Sequence, residues 1–169
     1  MTVFARAVLK GTGPYNFQIE EAQVNQEIKN FVASKRVAVV GVSRHAKKFG
    51  SSIYTELKGR GYQVYGVNPA VEEIQGEKCY PNLTALKGQV DSAVICIKPK
   101  SVEPVLREAA AIGLKNIWLQ WGADTPETVK LGKELGLNLV SGKCILMYAE
   151  PVRSFHSFHR FFVKLFGKL

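Results

Sequence analysis

Residues Lys35 to Gly50 read KRVAVVGVSRHAKKFG. An apolar, β-branched run ends at Gly41, a short polar loop follows, and Gly50 opens a helical pattern. Continuous apolar runs of this kind belong to strands buried on both faces of a parallel sheet. At this point a dinucleotide-binding βα turn carries G-x-G-x-x-G. This chain instead has Gly41-Val42-Ser43, six residues, and Gly50. Gly41 permits a tight exit from the strand, and the Ser43 hydroxyl with the neighbouring N–H groups suits a phosphate. The positive end of the helix opening near Gly50 points into the same space. The other reading is that the two glycines serve only the strand-to-helix turn.

Downstream the same alternation repeats. A helix over residues 51–60 stops at Gly61, and QVYGVNP is a second strand that Pro69 ends. Residues 70–90 read as irregular, with a short strand near Cys79-Tyr80 and a helical turn near Leu83. SAVICI is a third core strand, and Ser101 is expected to cap the helix that Gly113 closes. NIWLQWG is a fourth strand. Thr125-Pro126-Glu127 starts a helix with a cap, a proline at the first position and an acid at the positive end. LNLVS is the last strand. Upstream, Val24, Ile28, Phe31 and Val32 fall at helical spacing, predicting a helix from Glu21 to about Ala33. VFARAVL reads as a short edge strand and GTGPYN as a turn. The expectation is an α/β domain: a doubly wound, mostly parallel, Rossmann-like sheet of about five to six strands with helices on both faces. We divide the chain into an extension over residues 1–24, the sheet domain over 25–150 and a terminal segment over 151–169.

Ligands of such sheets bind beyond the carboxyl ends of the strands, where strand order reverses. At the end of the second strand an NAD site carries an acid for the ribose hydroxyls. Here the residues are Val67-Asn68-Pro69, with no acid before Glu72. Around that position stand Arg44, Lys47, Lys48, Lys98 and Lys100. Cations in place of the acid suit a ligand with a ribose phosphate as well as a pyrophosphate, a description that fits both NADP and coenzyme A. The chain carries 23 basic and 14 acidic residues, a formal charge of +9, which favours an anionic partner.

The segments VAVVGVS, LKGRGYQVYGVNP, IQGEKCYPNLTAL, IKPKSVEPVLREAAAIGLKNIWLQWGA and GKCI together resemble the small bacterial CoA-binding domain proteins. These are related to the CoA-binding domain of the succinyl-CoA synthetase alpha subunit. The resemblance implies a site for coenzyme A or an acyl-CoA at the carboxyl end of the sheet. It implies that Gly41, Val42 and Ser43 contact the pyrophosphate, assisted by Lys48 and Gly50. Arg44 and Phe49 of the same loop are further candidates, and Gly41→Val is expected to remove binding because its side chain blocks the pyrophosphate. Val67, Asn68 and Pro69 would line the adenosine side. Ile97, Lys98 and Pro99 would form the opposite wall, with Gln120 and Gly122 at the next strand end. The phosphohistidine chemistry of the synthetase belongs to a second domain, for which 169 residues leave no room, and does not carry over.

No catalytic constellation or metal-ligand pattern is visible, so the chain reads as a binding protein more than an enzyme. His45 is either an exposed loop residue or a phosphate donor. Cys144 follows the last strand and is expected either to pack or to face the pocket. In the pocket, with Lys143 lowering its pKa, it would form a mixed disulfide with CoA. Trp118 and Trp121 read as core and pocket wall. Three cysteines without a C-x-x-C pair encode no disulfide framework and point to the reducing cytoplasm. No run is long enough to be a transmembrane segment.

The last stretch, RSFHSFHRFFVKLFGKL, is amphipathic on a helix. Phe155, Phe158, Phe161, Phe162, Leu165 and Phe166 share one face, and Arg153, Arg160, Lys164 and Lys168 the other. It is expected to dock on the domain or across a homodimer, with a membrane surface or acidic partner as the alternative. Nucleic acid is disfavoured, because aromatic and basic residues are not interleaved across the domain.

Overall fold

The computed structural model describes residues 14–45 and 47–149, with side chains from residue 22 onward. The VFARAVL stretch and the amphipathic terminal segment lie outside the described residues. Among the described residues, seven strands form one sheet. They are β1 (Arg36–Val40), β2 (Gln63–Val67), β3 (Glu73–Ile74), β4 (Glu77–Tyr80), β5 (Ser92–Ile95), β6 (Asn116–Leu119) and β7 (Asn138–Val140), in the order β3-β4-β2-β1-β5-β6-β7. All pairings are parallel except that of β3 with β4. The expected Rossmann-like α/β class is what the chain forms, with one strand more than predicted. The extra strand is β3, a two-residue edge that pairs back through a tight turn at Gln75 (φ 52°) and Gly76 (φ 79°). Positive φ at both central residues matches the twist of a two-residue hairpin. Gln-Gly is an uncommon way to spell that turn, which is why residues 70–90 read as irregular.

Strand residues alternate between two cores because their side chains point alternately to opposite faces. Val37 and Val39 join one apolar cluster with helix α1 (Pro14–Ala33) and helix α2 (Phe49–Gly59), through Phe31, Ile53 and Leu57. Ala38 and Val40 join the other with helix α3 (Val102–Ala111), through Val102, Leu106 and Ala109. Helix α4 (Pro126–Glu134) packs on that second face through Val129 and Leu131.

Helix α1 starts at Pro14, seven residues before the expected start. Pro14, Tyr15 and Asn16, the last three residues of the stretch read as a turn, form its first turn, because a proline at the first position loses no hydrogen bond and arrives with a helical φ. The division drawn between residues 24 and 25 falls inside this helix. Its far end docks on β6 and β7, where Phe31 meets Trp118 edge-on at 5.3 Å. Thr125 caps α4 as expected, in a reciprocal box with Thr128. Ser101 stands at the start of α3 but its hydroxyl makes no cap, since residues Pro99–Ser101 form a 3-10 turn that leads into the helix. Among the described residues, no helix is long and apolar enough to cross a membrane.

Candidate functional site

Strand order places β2 on one side of β1 and β5 on the other. The chain leaves β1 for α2 on one face of the sheet and leaves β5 for α3 on the other. The two connections diverge and open a crevice at the carboxyl ends. In register, Val40 stands level with both Val67 and Ile95, so the loops after β1, β2 and β5 begin at one height.

The loop after β1 is held by five hydrogen bonds. Gly41 takes φ +99° and donates its N–H to the Val67 carbonyl at 2.9 Å. A methyl group on Gly41 would lie 2.5 Å from the Cys96 carbonyl oxygen and 2.8 Å from Ile97 Cγ2. One on Gly50 would overlap the Gly41 carbonyl. These glycines therefore let the loop and α2 close onto the strand ends. A valine at Gly41, expected to block the pyrophosphate, would first collide with the Cys96 carbonyl just beyond β5. Ser51, buried in the first turn of α2, accepts from the Ser43 N–H at 2.9 Å and donates to the Ser43 carbonyl at 2.8 Å. The Ser43 N–H is thus already committed. Its hydroxyl accepts from the His45 N–H at 3.2 Å and keeps its own proton to donate. Asn68 donates to the Val42 carbonyl at 2.5 Å and accepts from the Ala70 N–H at 2.8 Å.

The result is a cleft of about 640 Å³. Its rim on the β1 side is Gly41, Val42, Ser43, Lys48, Phe49 and Gly50, where the N-terminal end of α2 supplies a positive potential. Val67, Asn68 and Pro69 close a second side, and Ile97 and Lys98 a third. Eleven of the fifteen candidate residues are therefore brought together. Arg44 is exposed outside the lining, and Pro99 belongs to the 3-10 turn before α3. Gln120 is fully buried, accepting from the Ile145 N–H at 3.2 Å, and Gly122 turns away in the loop after β6. Of the five cations grouped by sequence, Lys48 and Lys98 line the cleft.

Sequence reasoning missed the far wall. Pro81, Asn82 and Leu83, beyond β4, face the cleft with Ser101, Val105 and Glu108. The Glu108 carboxylate accepts from the N–H (2.8 Å) and hydroxyl (2.7 Å) of Thr84, tying α3 to the chain after β4. Only Pro81-Asn82, a turn signal directly after a strand, offered a clue.

Of the two readings of Cys144, packing is the one the structure shows. Cys144 lies outside the cleft, and burial raises its pKa against the lowering effects of the Leu146 N–H, the Gln120 amide and the Arg60 charge. Lys143 does not activate it, since its ammonium lies 5.8 Å over the Tyr148 ring. Cys96, which does line the cleft, is held as a neutral thiol by burial, with Cys144 nearby pushing the same way. Trp118 is core, donating to the Lys143 carbonyl at 2.9 Å, whereas Trp121 is 62% exposed and not a cleft wall. Among the described residues, no three His, Cys, Asp or Glu side chains are grouped to hold a metal.

A doubly wound sheet with a glycine-closed crevice at its switch point places the chain in the Rossmann-like α/β class. Within that class the chain belongs to the CoA binding domain family, which matches residues 35–150. It is 29% identical over 126 residues to the alpha subunit of acetate–CoA ligase [ADP-forming] II of Pyrococcus furiosus, covering 68% of this chain and 28% of that one. This chain thus spans about a quarter of that relative's length. Among solved structures it resembles a redesigned PH1109 protein, with a TM-score of 0.70 and 25% identity, covering 79% of this chain and 95% of that one. It also resembles part of the dinucleotide-forming acetyl-coenzyme A synthetase 1 of Ca. Korarchaeum cryptofilum, solved with phosphate and ADP. There the TM-score is 0.57 and the identity 29%, over 63% of this chain and 25% of that one.

Proposed function

We propose that the cleft binds coenzyme A or an acyl-CoA, and that the chain is a binding module without chemistry of its own. The observation that carries this reading is the pairing of an anion-receptive turn with Lys48 and Lys98 at the β1–β5 crevice. Asn68 stands where a dinucleotide site would place a carboxylate. The pyrophosphate lies against Val42, the Ser43 hydroxyl and the first turn of α2, with Lys48 beside it. The adenosine side falls between Asn68-Pro69 and the wall of Pro81 to Leu83, and Ile97 and Lys98 face it from β5. Membership of the CoA binding domain family supports the choice of coenzyme A over NADP, which the same cations would also accept. Cys79, Cys96 and Cys144 are free thiols, which suits the reducing cytoplasm.

Calorimetric titration of the reduced protein with CoA, NADPH, NADH and ATP tests the reading. CoA is expected to bind most tightly, with no turnover of an added acyl thioester. Tighter binding of NADPH would move the reading to an NADP(H)-dependent oxidoreductase. No binding by any of the four would leave the turn as architecture.

A further inference from the structure

The far wall of the cleft carries a carboxylate, which an anionic ligand would avoid unless part of that ligand needs an acceptor. Glu108 is half-buried on α3 and lines the cleft together with Asn82. Among the described residues no cation stands within ion-pair distance of it. Its Oε1 accepts from both the N–H and the hydroxyl of Thr84, at 2.8 Å and 2.7 Å. The carboxylate is thus held in place by one oxygen, and Oε2 has no partner among the described residues.

Asn82 is fixed in the same manner. Its Oδ1 accepts from the Ala85 N–H at 3.0 Å, which turns the amide nitrogen away and leaves it without a partner among the described residues. Thr84 and Ala85 are consecutive at the start of a 3-10 turn, where N–H groups point the same way. The two side chains that receive them are therefore neighbours. Asn68 offers no such group, since Val42 and Ala70 occupy both ends of its amide. The wall presents one acceptor beside one donor, flanked by apolar Leu83 and Val105.

A carboxylate accepts and never donates, whereas an amide nitrogen only donates. Adenine has the matching edge, an amino group that donates beside a ring nitrogen that accepts. Guanine and hypoxanthine put a carbonyl oxygen in place of that amine. Resting on the coenzyme A reading, we propose that Glu108 and Asn82 select the base of the ligand. Glu108 Oε2 accepts from the adenine amino group, and Asn82 Nδ2 donates to the ring nitrogen N1 beside it. Lys48 and Lys98 attract phosphates whatever base they carry, so the selection falls to this wall.

The test is calorimetric titration of the full-length chain with CoA and with deamino-CoA, in which hypoxanthine replaces adenine. CoA is expected to bind about thirtyfold more tightly, the discrimination of one well-placed base contact. Glu108→Gln keeps an oxygen for Thr84 and turns an amide N–H toward the base, so that ratio should fall below about threefold. Asn82→Asp keeps the Ala85 contact and replaces the donor with an acceptor. The charge it adds acts on both ligands alike, so their ratio isolates the base contact and should fall to about fivefold. Equal binding of CoA and deamino-CoA by the unmodified chain would overturn the proposal and leave the coenzyme A reading standing. A thirtyfold ratio that neither substitution moves would overturn the assignment to these two residues. No binding of CoA at all would remove the coenzyme A reading, and this proposal with it.

Discussion

The loop after β1 and the loop after β6 leave the same edge of the sheet, and each turns on a glycine with positive φ, Gly41 at +99° and Gly122 at +87°. They end differently. Beside Gly41 lies a 640 Å³ cleft, and the missing side chain leaves room for the Cys96 carbonyl. Gly122 has no atom within 4 Å of where a side chain would start, and its loop closes on Asp124 and buried Gln120. The helices after β5 and β6 lie on one face and leave no gap between them, whereas those after β1 and β5 lie on opposite faces. A glycine turn at a carboxyl strand end is therefore not yet a site. Divergence of the connections makes it one.

The largest effect expected from this contrast comes from adding one methyl group to each turn. Gly41→Ala should destabilise the fold by about 3–4 kcal/mol, because positive φ and a backbone overlap act together. Gly122→Ala should cost only the conformational strain, about 1–2 kcal/mol. Urea denaturation of both variants measures the difference. Equal costs would mean that β5 yields at Cys96 and that Gly41 is not what closes the turn.

This contrast also marks how far the sequence could be read. Apolar runs ending in Gly41, Val67-Asn68-Pro69 and Ile97-Lys98 are local patterns, and the cleft gathers all three. Gln120 and Gly122 sit in an equivalent local pattern and are not part of it. What separates them is the face on which each following helix packs, which depends on contacts remote in the chain. The wall from Pro81 to Leu83 was hidden for a related reason. It is positioned by the β3–β4 hairpin, whose turn is made by a glutamine at positive φ, and by Glu108 reaching Thr84 across 24 residues. Ser51 escaped notice because a serine in a first helical turn has many roles, and only the structure shows it clamping Ser43.

Ser51 gives the next effect in size. Ser51→Ala leaves the Ser43 N–H and carbonyl without their buried partner and should cost about 2 kcal/mol. It should also weaken CoA binding, since Ser43 is then free to move. Asp124→Ala, which loosens the other loop, should destabilise the protein while leaving CoA affinity within about twofold. Denaturation and calorimetry on the same samples separate the two. If Asp124→Ala weakened binding as much as Ser51→Ala, the loops after β6 and β7 would have to belong to the site.

Within the cleft the contrast narrows to individual cations. Lys48→Ala and Lys98→Ala should each weaken CoA binding about tenfold, the loss of one charge-assisted contact. Lys47→Ala and Lys100→Ala, outside the lining, should each change it less than about threefold and only at low salt. Titrations at two ionic strengths provide the check. Four equal losses would mean that a diffuse positive field holds the ligand, with no defined contacts.

The smallest effect concerns the far wall. Lys58 lies 2.6 Å from Glu77 and the Tyr54 hydroxyl donates to Glu77 at 2.7 Å, fixing the β3–β4 hairpin to α2. The Lys58 ammonium, and then the Tyr54 hydroxyl, hold the Glu77 carboxyl below its ordinary pKa. A carboxyl lowered on folding adds stability that is fully present above its unfolded pKa, near 4.3, and is lost as pH falls through the lower folded value. Glu77 is half exposed, so solvent screening keeps the contribution under about 1 kcal/mol. Glu77→Gln should therefore be slightly less stable than the parent at pH 7, and the two should converge as the pH falls below 4. A gap that stayed constant through that range would show that the hydrogen bond from Tyr54 holds the wall without the charge. In that case the hairpin owes its place to packing and the tyrosine alone, and the ion pair is a bystander on the surface.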